Sequence, residues 1–152
     1  MVARDPSRLN ATLSKLDGNG HNIEIIDFLD DVNVSHWFKN LAKKNIPFDG
    51  LVHAAGVQVT LPIRATTLEQ WNKVISTNVT SAFSLIKAFR QKGVCNPGSS
   101  IVLISSVMAQ KGGGALIGYC ASKGAIEAMV RSAAVELASE KIRINGIGRA
   151  HV

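Results

Sequence analysis

Four short apolar runs alternate with longer segments of helical spacing, and that alternation restricts the fold more than any other feature of the chain. The runs are "NIEIID" (22–27), "DGLVHAAG" (49–56), "SSIVLISS" (99–106) and "KIRINGI" (141–147). Each is rich in β-branched residues and bounded by Gly, Asp, Asn or Ser, the signature of a strand. Helical spacing occupies about 6–16, 31–45, 67–91 and 119–139. Strands that are apolar on both faces and separated by helices predict an α/β fold, with a parallel sheet covered on each side. At 152 residues and 46% hydrophobic content the chain can bury one core. It is expected to be a single domain over 1–152, without internal repeat or linker.

Composition narrows the ligand classes. The net charge of +6 is spread along the chain rather than gathered on one run or helical face, which suits a nucleotide-sized anion better than a nucleic acid. No RNA-recognition, KH, zinc-finger or homeodomain signature is present, and five Phe, two Trp and one Tyr are too dispersed for a base-stacking platform. Cys95 and Cys120 have no CxxC partner, which points to free thiols in a reducing compartment. The start "MVARDPSRLN" has no apolar signal core, and no apolar stretch is long enough to span a bilayer. The expectation is a cytoplasmic protein that binds neither membrane nor nucleic acid. No metal site is expected, because His53 has no His or Cys at ligand spacing.

Two helices carry readable faces. Thr66 and Glu69 stand at capping-box spacing, and Leu68, Trp71 and Ile75 then form an apolar stripe on which Asn78 falls next. The pattern favours Asn78 as a buried amide satisfied by backbone, or as a local helix irregularity, over a polar group aimed at a site. Ile126, Met129, Val130, Ala133 and Leu137 give the last long helix its buried face.

Ligands of open parallel sheets bind beyond the carboxyl ends of the strands. There the chain places Asp27, then His53 to Gly56, then Ser105 and Ser106. Tyr119 and Lys123 follow on the first turns of the next helix, one turn apart, so both can face one pocket. A free phenol has a pKa near ~10, and a neighbouring ammonium favours its ionised form. With a hydroxyl from Ser106 to hold a substrate oxygen, these groups can relay a proton between a carbonyl and an alcohol. "KGGG" (111–114) lacks the P-loop pattern and is expected to be a loop flanking the substrate pocket.

The runs "LVHAAG", "NVTSAF", "SIVLISS" and "YCASKGAIEAMVRSAAVELASEKIRING", in that order and spacing, resemble the central part of a short-chain dehydrogenase/reductase. The resemblance covers nearly the whole chain. It implies a Rossmann-like doubly wound parallel sheet and a catalytic tetrad of Asn78, Ser106, Tyr119 and Lys123. Tyr119 would be the acid/base, Lys123 would lower its pKa and bond the nicotinamide ribose, Ser106 would hold the substrate oxygen, and Asn78 would secure a water linking Lys123 to solvent. Asp27 and Phe28 match the pair that contacts adenine. "HAAG" (His53, Ala54, Ala55, Gly56) matches the family's Asn-Asn-Ala-Gly beside the cofactor. Ala3 followed by Arg4 resembles the arrangement that pairs an Arg with the 2′-phosphate of NADP, with NAD possible. Val152 resembles the residue that meets the nicotinamide carboxamide.

The resemblance also implies what lies outside these residues. The Gly-rich turn that holds the pyrophosphate is absent from the sequence, and the family's strand 1, most of strand 2 and strand 7 have no counterpart. In the order 3-2-1-4-5-6 this leaves a gap inside the sheet. Arg149 and Ala150 stand where the family has Pro-Gly. The chain is therefore expected to be a partial Rossmann-like domain of an NAD(P)-dependent oxidoreductase. It would act on a small-molecule carbonyl or secondary alcohol, as a 3-oxoacyl reductase or a sugar or polyol dehydrogenase does. In the complete protein, segments 80–92 and 119–138 would pack a homodimer or homotetramer. The alternative is a noncatalytic fragment that keeps only those oligomerisation helices.

Overall fold

The computed structural model describes residues 1–44 and 47–149. The elements in chain order are β1 (Val2–Ala3), α1 (Pro6–Leu13), β2 (Glu24–Ile25), α2 (Asp31–Lys43), β3 (Phe48–His53), α3 (Leu68–Ile75), α4 (Ser81–Phe89), β4 (Cys95–Ser106), α5 (Ile117–Leu137) and β5 (Arg143–Arg149). A π-helical turn, Ser76–Thr80, joins α3 to α4. The strands are parallel throughout, in a two-stranded sheet β1-β2 and a three-stranded sheet β3-β4-β5. The expected gap in the sheet is where the two parts separate.

Local signals set most element ends. Asp5 caps α1 by accepting the Arg8 N–H at 3.0 Å, with Pro6 in the first turn, where its missing donor costs nothing. Asp30 does the same for α2 through Asn33. The capping box of α3 lies one residue later than the spacing of Thr66 and Glu69 indicates. Thr67 Oγ1 accepts from Gln70 N–H, and Gln70 Oε1 accepts from Thr67 N–H. Thr66 instead turns its hydroxyl back to the Leu61 and Pro62 carbonyls. The buried face of α3 also differs from the expected stripe: Leu68 is 80% exposed and Val74 is buried. The strand expected over 22–27 is paired only at Glu24 and Ile25, and the helix expected over 67–91 is broken by the π turn. The strand expected over 49–56 ends at His53, so Ala54 to Gly56 lie in the loop beyond it.

The core lies between β3-β4-β5 and the helices. α4 is apolar almost all round and nearly every one of its residues is buried, as such a helix requires. Phe38, Phe48 and Phe89 meet with ring centroids 5.7 to 6.4 Å apart, and Trp37 stacks edge-on against Phe38 at 4.7 Å. On the other face Ile126 and Leu137 of α5 are buried, with Met129, Val130 and Ala133 packed against the same core. No helix among the described residues is long and apolar enough to cross a membrane.

Phe89 is fully buried in the aromatic cluster and Leu68 is exposed. Phe89→Ala is expected to lower the unfolding free energy by about 3–5 kcal/mol, and Leu68→Ala to change it by less than ~0.5 kcal/mol. Urea titration of the two variants measures both.

Candidate active site

The carboxyl end of β4 carries Ser105 and Ser106, and a 3-10 turn, Val107–Ala109, starts directly after it. Ser106 caps that turn, its Oγ accepting the Met108 N–H at 3.2 Å. Ser105 donates to Glu127 of α5 at 3.2 Å. The chain then runs through "KGGG" to Ala115, whose φ of 61° places it in the left-handed region. Its carbonyl accepts from Leu61. α5 begins at Ile117, two residues earlier than helical spacing indicates, so Tyr119 sits within the first turn rather than at its start.

Tyr119 and Ser106 line one cleft of about 550 Å³, together with Gln58, Ser105, Met108 and Leu116. Lys123, one turn on, is buried, and its Nζ lies 5.6 Å from the centre of the Tyr119 ring. That Nζ donates to the Ile104 carbonyl at 2.6 Å. Burial pushes the Lys123 pKa below that of a free lysine. The short bond to a strand carbonyl fixes the ammonium beneath the phenol.

Asn78, 1% exposed, occupies the centre of the π turn. Its Oδ1 accepts the Val57 N–H at 2.8 Å, and its Nδ2 donates to the Val57 carbonyl at 2.9 Å and to Ser122 Oγ at 2.9 Å. Both amide protons are thereby committed to protein acceptors, which leaves a water link only the second Oδ1 lone pair. Ser122 passes its own proton to the Tyr119 carbonyl at 2.8 Å. One side chain thus ties the loop after β3 to the turn of α5 that carries Tyr119.

Of the residues 53–56, Ala55 and Gly56 line a second cleft of about 380 Å³, with Arg4 and Asp27 among its other walls. A Cβ at Gly56 would meet Asn78 Oδ1 at 3.4 Å and Lys123 Nζ at 3.8 Å, ordinary contact distances that place Gly56 directly beside both side chains. His53 and Ala54 face elsewhere. His53 is 3% exposed, and its Nε2 lies 2.8 Å from Ser81 Oγ. Ser81 gives its only proton to the Thr77 carbonyl at 2.6 Å, so the His53 bond runs from Nε2–H to Ser81. Burial first, and the charge of Lys123 second, lower the His53 pKa from 6.5 to about 4. His53 is therefore a neutral structural group. Asp27 lies two residues beyond β2, accepts the Leu29 N–H at 3.0 Å and stands 3.7 Å from Arg4. Phe28 lies beside His53 with ring centroids 6.5 Å apart. Arg8, which is not among the sequence-derived candidates, lines the same cleft as Arg4. A signal for it exists in the sequence: it stands four residues after Arg4, one turn into a helix capped by Asp5. Val152 lies outside the described residues. Among those described, no cluster of His, Cys, Asp and Glu could hold a metal ion.

The two clefts meet at Val57 and Gln58, one residue lining each. A cleft with guanidinium groups at one end and an exposed glycine at the other fits the adenosine end of a dinucleotide. The neighbouring cleft, with phenol, hydroxyl and ammonium, fits the reacting end.

A family model described as enoyl-(acyl carrier protein) reductase matches residues 3–151. The chain belongs to the short-chain dehydrogenase/reductase family. It is 33% identical over 117 residues to 5-keto-D-gluconate 5-reductase of Escherichia coli (strain K12), a match covering 77% of this chain and 44% of that one. A provisionally named short-chain dehydrogenase/reductase from Burkholderia xenovorans superposes with a TM-score of 0.87 at 28% identity, over 99% of this chain and 62% of that chain. ElxO, solved with NADPH bound, superposes with a TM-score of 0.82 at 26% identity, over 97% and 60%. The chain thus spans about half the length of the curated relatives it matches.

His53 yields a stability prediction. Its folded pKa of about 4 lies below the ordinary 6.5, so the unfolded chain binds more protons between those values. The contribution of neutral His53 is complete above pH 6.5 and is lost as pH falls toward 4, up to about 3 kcal/mol. Urea melts across this range are expected to show that loss in the native chain and a flatter profile in His53→Gln.

Proposed function

We propose that the chain is the catalytic part of an NADP-dependent oxidoreductase that interconverts a ketone and a secondary alcohol. The observation that carries this reading is the shared cleft of Ser106 and Tyr119, with the Lys123 ammonium fixed below the phenol. Arg4 and Arg8 offer two guanidinium groups to a 2′-phosphate, which favours NADP, with NAD the weaker ligand. Asp27, Phe28, Ala55 and Gly56 would hold the adenosine side, and Tyr119 and Lys123 the nicotinamide ribose. A bound dinucleotide supplies or accepts the hydride.

The chain's own residues manage the proton. In reduction, Ser106 Oγ donates a hydrogen bond to the carbonyl oxygen and so orients it beside Tyr119. The Tyr119 hydroxyl gives its proton to that oxygen as charge develops there. The Lys123 ammonium stabilises the phenolate left behind. Oxidation runs these steps in reverse. Asn78 is a positioning residue that holds Val57 and the first turn of α5. The likeness to 5-keto-D-gluconate 5-reductase, with the polar Gln58 and Ser105 in the cleft and the basic charge of the chain, favours a polyhydroxylated keto acid as substrate. A 3-oxoacyl thioester is the other class the apolar wall of Met108 and Leu116 admits. In the complete protein, α4 and α5 would pair two copies; between them lies a groove in which Phe83 is 55% exposed.

NADPH consumption by the 152-residue chain, followed by absorbance with 5-keto-D-gluconate and with an acetoacetyl thioester, tests the reading. Tyr119→Phe is expected to lower kcat by about 10²–10⁴, with NADPH affinity from calorimetry within about threefold. Unchanged turnover in Tyr119→Phe overturns the mechanism. A folded wild-type chain with no turnover of either substrate returns the noncatalytic reading.

A further inference from the structure

Glu127 is a carboxylate on α5 that stands outside the sequence-derived candidates and has no task in the proposed proton chemistry. It follows Lys123 by one helical turn and Tyr119 by two, so the three residues lie on one row of the helix. Glu127 is half-buried, and its Oε1 accepts the Ser105 hydroxyl proton at 3.2 Å. Ser105, itself buried, directly precedes Ser106, the hydroxyl that shares a cleft with Tyr119.

The end of β4 is held residue by residue. The Ile104 carbonyl accepts from Lys123, Ser105 donates to Glu127, and β5 lies close behind the Ser106 backbone. There a Cβ at Gly148 would come within 3.3 Å of the Ser106 carbonyl carbon, a tighter approach than a residue with a side chain makes without displacing its neighbour. Two of these three holds come from successive turns of the helix that carries Tyr119. Lys123 serves the phenol as well as the strand, whereas the Glu127 carboxylate reaches Ser106 only through Ser105. Reacting groups tolerate little displacement, since an error of about 1 Å can cost about a hundredfold in rate. A bond that fixes the strand end against the helix therefore bears directly on the spacing of the two hydroxyls.

We propose that Glu127 is a positioning residue that, through Ser105, sets the place of Ser106 relative to Tyr119. The proposal rests on the acid/base reading of Tyr119 and adds to it the device that keeps the donor and the orienting hydroxyl in register. A charged acceptor strengthens the hold on Ser105. Glutamine at this position keeps an acceptor oxygen of the same reach and alanine removes it.

Tyr119 is the only tyrosine of the chain, so 3-fluorotyrosine incorporation gives the full chain a single fluorine resonance, on that ring. Glu127→Ala and Ser105→Ala are each expected to move this resonance, the double variant to move it no further than either alone, and Glu127→Gln to leave it near its native position. Arg90→Ala, which removes the ion pairs to Glu136 and Glu140 toward the far end of α5, is expected to leave it in place. An unmoved resonance in Glu127→Ala overturns the proposal. So does an equal displacement in Arg90→Ala, which reduces the effect to a general loosening of the helix. In turnover, Glu127→Ala is expected to lower kcat by about 10–100-fold with KM for NADPH within about threefold, and Glu127→Gln to recover most of the loss. A raised KM with unchanged kcat contradicts the assigned role. If Glu127→Ala does not fold, Ser105→Ala, which removes the same bond without changing charge, decides by the same readouts. A folded native chain without turnover counts against the acid/base reading, while the fluorine resonance still decides whether Glu127 places Tyr119 against the end of β4.

Discussion

The side-chain amide of Asn78 is the point on which the geometry of the site depends. It makes two hydrogen bonds to the backbone of Val57 and one to Ser122, which joins three segments that are distant in sequence. A helix of ordinary pitch presents its side chains on fixed rows. The π turn Ser76–Thr80 adds a residue to the turn and lets Asn78 face inward between α3 and α4. A buried amide without partners would cost about 1–3 kcal/mol for each unmet group. Its three bonds remove that cost and confine the loop after β3.

A second link reinforces the first. His53, at the end of β3, bonds Ser81, which bonds the Thr77 carbonyl inside the same turn. The end of β3 and the segment beyond it are thus fastened to the π turn at two places, by neutral groups only. Lys123 is the charged group in this environment. It keeps its place through the Ile104 carbonyl, and its charge is one reason why a second cation at His53 is disfavoured. The arrangement leaves the buried Lys123 ammonium close to the Tyr119 ring, the electrostatic condition that the proposed proton transfer from Tyr119 requires.

Strand and helix alternation and the parallel direction are legible in the sequence because buried parallel strands require continuous β-branched runs, whereas the gap in the sheet is legible only through the family resemblance. Tyr119, Lys123 and Ser106 are legible because helical pitch and strand ends fix where such residues face. Asn78 is legible only in part. Its place on the apolar stripe indicates burial or a helix irregularity, and both are present, yet no local pattern indicates Val57 as its partner twenty-one residues away. The capping position of α3 is hidden for a related reason. The start of α3 at Thr67 rather than Thr66 depends on which hydroxyl the Leu61 and Pro62 carbonyls capture. That is a tertiary outcome that propensity does not encode. His53 likewise carries no sequence sign that it bonds Ser81 rather than facing the cleft that Ala55 and Gly56 line.

The most direct test of this account is hydrogen exchange at a single amide, that of Val57. If Asn78 fastens the loop to the π turn, the Val57 N–H is protected to nearly the same degree as the β4 amides, and in Asn78→Ala it exchanges as a free loop amide does while β4 remains protected. Fast exchange at Val57 in the native chain, or protection that survives Asn78→Ala, would contradict the claim that this side chain organises the site.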